Sequence, residues 1–218
     1  MSTRLKRLTL PGPAGPLQAI LHEREDQEPE IVALVCHPHP LYGGTLDNKV
    51  AHRIAATLHE LGAAVLRFNF RGAGESAGQF DHGAGELEDA RVAFDWIAAR
   101  HPRARRWVAG FSFGSWVAAR LAAGRTDVDQ LILVAPPVTR SSFEVMVDSP
   151  VPKLVVQGTN DDVCPPEHLQ QQYPRWSEPK RLILVPQATH FFDRQLAALG
   201  QVLAEALAPL RRAPFSIP

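Results

Sequence analysis

Arg106-Trp107-Val108-Ala109-Gly110-Phe111-Ser112-Phe113-Gly114-Ser115-Trp116-Val117 changes character at Ser112. Before the serine lies a short, β-rich apolar run, read as a strand over 106–111. After it, residues 113–123 read as a helix closed by Gly124. A serine between glycines at a strand-to-helix junction is the G-x-S-x-G pattern. Held out at a sharp turn, such a serine serves as a nucleophile, and glycines at 110 and 114 leave room for the turn to close. The N–H groups that open the following helix favour negative charge developing beside it. The plain alternative is a glycine-rich turn with an N-capping serine.

The same alternation extends outward in both directions. Apolar β-rich runs occupy 31–36, 64–70, 130–135, 153–157 and 181–185. Helical spacing of apolar residues marks 48–61 (Val50, Ile54, Leu58, Leu61) and 86–100 (Leu87, Ala90, Phe94, Ile97). A shorter helical stretch runs from Pro166 to Tyr173, and the last helix carries Leu196, Leu199, Leu203, Leu207 and Leu210 on one face. Residues 4–10 and 17–23, joined by the turn-rich 11–16, read as an opening hairpin; residues 23–30 are a solvated connector. Continuous apolar strands alternating with amphipathic helices imply an α/β fold: a mostly parallel sheet covered on both faces. In such sheets ligands sit beyond the carboxyl ends of the strands, so the loops after strands carry the chemistry.

The chain has 218 residues, which predicts one domain over residues 1–218. Hydrophobic residues make up 45% and charged residues 21%, ordinary globular proportions that exclude wholesale disorder. Lys plus Arg equals Asp plus Glu at 23 each, so a strongly basic nucleic-acid binder is excluded. Cys36 and Cys164 are too few for a disulfide framework. No apolar run approaches the roughly 20 residues of a membrane span, and Pro11, Gly12 and Pro13 interrupt the position of a signal peptide's apolar stretch. The expectation is a cytoplasmic protein without nucleic-acid or membrane partners.

For a serine nucleophile in this fold, an acid and then a histidine follow in chain order. After Ser112 only His168 and His190 remain. His190 lies beyond the last strand and before the last helix, the position expected of the base; His168 lies inside a helix and reads as a surface residue. Gly158-Thr159-Asn160-Asp161-Asp162 follows the preceding strand, and Asp161, at the turn apex, is preferred over Asp162 as the acid. The tetrahedral intermediate needs two backbone N–H donors. Phe113, after the nucleophile, is one. The other belongs to Cys36-His37-Pro38-His39-Pro40-Leu41, where the prolines have no N–H; His39 is the first usable donor and Leu41 the second.

The His37/His39 pair invites a metal, with Asp47, Asp81 or His82 as further ligands. No H-E-x-x-H or C-x-x-C pattern supports one, so neither metal nor cofactor is expected and His37 reads as packing behind the loop. Gly72-Ala73-Gly74-Glu75-Ser76-Ala77 matches the dinucleotide fingerprint in form. Its glycines do not open a helix, however, as nucleotide binding requires.

The motifs His37-Pro-His-Pro, Gly43-Gly44, Leu66-Arg-Phe-Asn-Phe-Arg-Gly72, Gly110-Phe-Ser-Phe-Gly114, Gln157-Gly158…Asp161 and His190-Phe-Phe together resemble the small bacterial serine α/β-hydrolases. These are esterase-like proteins related to the dienelactone hydrolase and peptidase groups. The resemblance runs from about Ile31 to Phe192. It implies the α/β-hydrolase fold, with about eight strands and the second antiparallel. The ordered serine, acid and base point to a serine hydrolase of short-chain, small-molecule carboxylic esters; a thioesterase, acyltransferase or small amidase using the same residues, or a binding protein on the same fold without turnover, are the alternatives. Many relatives insert a helical cap after the strand corresponding to 130–135. Here only 136–152 intervenes, so an open site without a cap is expected. Its expected walls are Leu41, Tyr42, Phe113, Val138, Phe143, Val163 and Phe191, with Cys36 and Cys164 as inert thiols near the rim.

Overall fold

A computed structural model describes residues 3–25 and 27–212. The opening hairpin forms from β1 (Thr3–Gly12) and β2 (Gly15–Arg24), in register from Thr3 opposite Arg24 to Gly12 opposite Gly15. The alternation of strand and helix follows as β3 (Ile31–Cys36), α1 (Lys49–Glu60), β4 (Ala64–Phe68), α2 (Ala84–Arg100), β5 (Arg105–Phe111) and α3 (Phe113–Ala123). It closes with β6 (Gln130–Val134), β7 (Lys153–Gly158), α4 (Pro166–Gln172), β8 (Lys180–Val185) and α5 (Leu196–Leu207). The strands make one eight-stranded sheet in the order β1-β2-β4-β3-β5-β6-β7-β8. From β4 through β8 every pairing is parallel, and β2 runs antiparallel to both its neighbours.

Strand pleating explains why the central strands are apolar throughout. Val32, Leu34 and Cys36 of β3 point into the layer containing Leu87 and Phe94 of α2 and Val117 of α3. Ile31, Ala33 and Val35 point the other way, toward Ile54 and Leu58 of α1 and Leu199 and Leu203 of α5. Each fully buried leucine contributes about 1.5–3 kcal/mol, so both faces stabilise the sheet and neither tolerates a polar period.

Local differences from the sequence reading have simple causes. β4 stops at Phe68 because the Asn69 side chain takes over local hydrogen bonding, accepting from Leu46 N–H and donating to Gln18 Oε1. α2 begins at Ala84 rather than 86, since Gly83 takes a left-handed conformation (φ 92°) and the Glu86 carboxylate accepts the N–H groups of Asp81 and Gly83. The glycine-rich stretch from Gly72 is loop tied by Ser76 to Asn69 and Gln18, well before that helix. Residues 136–152 form a short connection holding a single 3-10 turn, Glu144–Met146, and no cap. Among the described residues no helix is long and apolar enough to cross a membrane.

Two histidines, the half-buried His22 and the buried His37, link the fold to pH. Burial, reinforced by the neighbouring His59, Arg67 and His52, pushes His22 down from 6.5 to about 4; its ring stacks on His59 at 3.6 Å. Burial likewise takes His37 to about 4. The unfolded chain therefore binds these protons near pH 6.5 while the folded chain refuses them until about 4. Their contribution is complete above the unfolded value and is lost as pH falls through that window. Urea midpoints should drop from pH 7 to pH 4.5, and less steeply in His22→Gln; a flat profile would contradict the assignment.

Candidate active site

The turn between β5 and α3 is sharp. Ser112 has φ 52° and ψ −124°, a conformation that costs an L-residue about 1–3 kcal/mol. Surrounding backbone imposes it. A Cβ on Gly110 would lie 2.2 Å from Gly114 O, and one on Gly114 would lie 2.3 Å from Cys36 O and 2.4 Å from His37 O. Both glycines are thus required by backbone approach, and the end of β3 is pressed against the first turn of α3.

The Ser112 hydroxyl reaches His190, with Oγ 3.0 Å from Nε2. His190 follows β8, and its Nδ1 lies 2.8 Å from Asp161 Oδ2 in the loop after β7. Asp161 is surrounded by donors. Its Oδ1 accepts from the N–H groups of Val163 (3.0 Å) and Cys164 (2.7 Å), and Oδ2 also accepts from Gln157 Nε2 (2.9 Å). An oxygen that only accepts fixes the Nδ1–H tautomer of His190 and leaves Nε2 with its lone pair toward the serine. Asp161 and His190 are both buried, whereas Asp162 and His168 are exposed. Sequence reasoning quoted Gln157 but gave it no role. Its Nε2 also donates to Cys164 O at 2.9 Å, so one amide fastens both ends of the loop that carries the acid.

The loop after β3 resolves the histidine pair. His37 is fully buried, its Nδ1–H donating to Pro38 O (2.6 Å) and its Nε2 accepting the Phe70 N–H (3.0 Å). Both ring nitrogens are engaged, so His37 stitches this loop to the segment after β4 and is not a ligand. His39 caps a 3-10 turn, Pro40–Tyr42, with its Nδ1 accepting the Leu41 N–H at 3.3 Å. That bond occupies Leu41. No acceptor among the described residues takes the His39 or Phe113 N–H, and the two rings pack with centroids 4.8 Å apart. Asp81 lies near Arg71 and His82 packs against Phe80, both outside the cleft lining.

A cleft of about 310 Å³ opens over the serine, lined by Tyr42, Phe113, Val163 and Phe191 together with His39, Asn48, Pro137, Arg140, Ser141 and His190. Tyr42, Val163 and Phe191 thus stand where the sequence put them. Leu41 does not: its side chain is 68% exposed and lies outside the lining. Val138 and Phe143 are core residues, buried with Met146 beneath the connection, because apolar residues in so short a segment serve as its anchor before they serve as a wall. Cys36 is buried in the core and its thiol is held far above the usual range by burial. Cys164 borders the cleft, and burial with the nearby Asp161 carboxylate pushes it up to about 12. Asp161, Cys164 and His190 place ligand atoms within 4.8 Å of one another. With the thiol protonated and Nδ1 bonded to the carboxylate, the trio is a hydrogen-bonded pair beside an inert neighbour.

A doubly covered, mostly parallel sheet with a strained serine at this turn is the arrangement of the α/β-hydrolase class. The family model described as serine aminopeptidase, S33, matches residues 43–148. An uncharacterized protein of Rickettsia prowazekii is 37% identical over 185 residues, spanning 81% of this chain and 78% of that protein. An alpha-beta serine hydrolase homologue from Coxiella burnetii superposes with a TM-score of 0.89 at 37% identity, covering 95% of this chain and 99% of that one. A Xanthomonas campestris protein described as a member of a/b serine hydrolase without lid gives 0.90 at 38% identity, covering 98% of each chain. The chain belongs to the α/β serine hydrolases, and its short β6–β7 connection groups it with those lacking a lid.

The contact of Gly114 with the β3 end gives a direct test. Gly114→Ala places a methyl against backbone carbonyls that cannot swing away, so it should destabilise the fold by about 3 kcal/mol or more. A urea midpoint close to the parent's would show that the elbow relaxes at little cost.

Proposed function

We propose that the protein hydrolyses short-chain carboxylic esters through an acyl-enzyme on Ser112. The observation that carries this reading is the Ser112–His190–Asp161 hydrogen-bonded series opening into an apolar cleft. Ser112 Oγ attacks the ester carbonyl carbon as His190 Nε2 takes the hydroxyl proton. The carbonyl oxygen becomes an anion that accepts hydrogen bonds donated by the N–H groups of Phe113 and His39. Collapse breaks the bond to the alcohol oxygen, which leaves with the proton from His190. Water then attacks the acyl-serine, giving a proton to His190; collapse breaks the bond to Ser112 Oγ, which takes that proton back from His190, and the carboxylic acid departs. Asp161 holds the tautomer and stabilises the imidazolium throughout. The substrate in this reading is a small molecule met in the cytoplasm, with no metal, cofactor, nucleic acid or membrane involved.

A second reading, cleavage of amide or peptide bonds, draws on the aminopeptidase description of the family model. The cleft lining argues against a free α-ammonium group as a substrate determinant, since it contains no Asp or Glu. Matched p-nitrophenyl ester and p-nitroanilide substrates separate the two readings.

Ser112→Ala should fold normally and lose fluorophosphonate labelling, with kcat falling at least about 10³-fold. Asp161→Asn should lower kcat by about 10⁴ through the wrong tautomer, while Asp162→Asn should leave it nearly unchanged; the reverse order would move the acid by one residue. Acyl length gives a further test. Each methylene buried against Tyr42, Val163 and Phe191 contributes about 0.8 kcal/mol, until the chain leaves a cleft of about 310 Å³. kcat/KM should therefore rise over the first few carbons, be highest between acetyl and hexanoyl, and be small at dodecanoyl. A steady rise through dodecanoyl would require a longer groove than this one.

A further inference from the structure

Arg140 is the only Lys, Arg, Asp or Glu among the residues that line the cleft. Several other arginines are engaged in ion pairs: Arg71 with Asp89, Arg100 with Glu23, Arg125 with Asp95 and Asp127, and Arg175 with Glu144. Among the described residues Arg140 has no such pair and no side-chain hydrogen bond, although it stands exposed beside an apolar wall. An arginine left without a carboxylate there is available to an anion that enters with the substrate.

The segment that carries it is held in place. The N–H groups of Arg140 and Ser141 both donate to Pro137 O, at 3.0 and 2.9 Å. Gln172 Nε2 of α4 donates to Val138 O at 3.1 Å, and Trp116 Nε1 of α3 donates to Ser142 O at 2.9 Å. Val138 and Phe143 on either side are buried in the core. The backbone under Arg140 is thus fixed from α3, from α4 and from below, where the residue lines the cleft. Its charge is felt at the Cys164 thiol, where it opposes the upward push of burial and Asp161. The guanidinium therefore stands within electrostatic reach of the loop that holds the acid.

Resting on the ester-hydrolase reading above, we propose that Arg140 selects esters whose short acyl chain ends in a carboxylate, that is, monoesters of small dicarboxylic acids. The apolar walls bury the methylenes, and the guanidinium meets the far carboxylate in a charge-assisted hydrogen bond. Arg140 is a specificity-determining residue here and takes no part in bond making.

The test compares the p-nitrophenyl monoester of glutaric acid with p-nitrophenyl pentanoate, which has the same chain length and no charge. The full chain, Arg140→Gln and Arg140→Lys are assayed with both. The charged-to-neutral ratio of kcat/KM should fall about tenfold in Arg140→Gln, mainly through KM, because a hydrogen bond to a charged group is lost. Arg140→Lys should retain part of the ratio, and raising the salt should erode it in the parent. Equal ratios in the three proteins, with pentanoate cleaved, would overturn the anion site and leave the esterase reading standing. If the parent cleaved neither ester, the esterase reading would fall, and calorimetric binding of glutarate to the parent and to Arg140→Gln would decide the site alone. Binding at least tenfold weaker in the variant supports it, and equal binding overturns it.

Discussion

The backbone crossing at Gly114 is the constraint on which the site depends. Three pieces of main chain meet there: the end of β3 at Cys36 and His37, the last residues of β5 at Gly110, and the first turn of α3. The atoms in contact are main-chain atoms, which cannot swing away as a side chain can. The crossing forces Ser112 into its strained conformation, and it sets His39 beside Phe113. His37 secures the arrangement from behind, since its two ring nitrogens bind Pro38 O and the Phe70 N–H. A protonated His37 could not accept from Phe70, so the burial that keeps it neutral also keeps the β3 loop in place.

The acid is built by a different principle. Asp161 is positioned by donors and not by packing: two backbone N–H groups on one oxygen, and an amide and an imidazole on the other. Gln157 anchors this loop from the end of β7 itself. The serine side is thus rigid through backbone contact, the acid side through saturated hydrogen bonding, and His190 spans the two.

Much of this was legible in the sequence, and for identifiable reasons. Strands buried on both faces read as unbroken apolar runs, so β3, β6 and β7 stand out. Ser112, Asp161 and His190 can be singled out because each follows a strand and their chain order is restricted, and the structure brings the three into one hydrogen-bonded series. The side-chain walls were read less well. Leu41, Val138 and Phe143 are apolar and near the right loops, but composition cannot tell whether such a residue faces a cleft, the core or water. Leu41 turns outward because the 3-10 turn that His39 caps rotates it there, and Val138 and Phe143 turn inward as anchors. Arg140 escaped notice since a lone arginine in a loop resembles any solvated charge until its neighbours are known. The start of α2 was missed because Gly83, Ala84 and Gly85 carry no apolar period; the start is set by the Glu86 carboxylate.

The connection from β6 to β7 has a division of labour along its length. Val138, Phe143 and Met146 are plugged into the core, while Pro137, Arg140 and Ser141 face the cleft. Anchoring residues and cleft-facing residues alternate within one short segment. Such a segment behaves as a cassette: its outward positions can be exchanged, singly or together, while the buried ones keep the main chain in register. In a hydrolase whose sheet and elbow tolerate so little change, this connection is the part of the chain where new selectivity can be drafted at low structural risk.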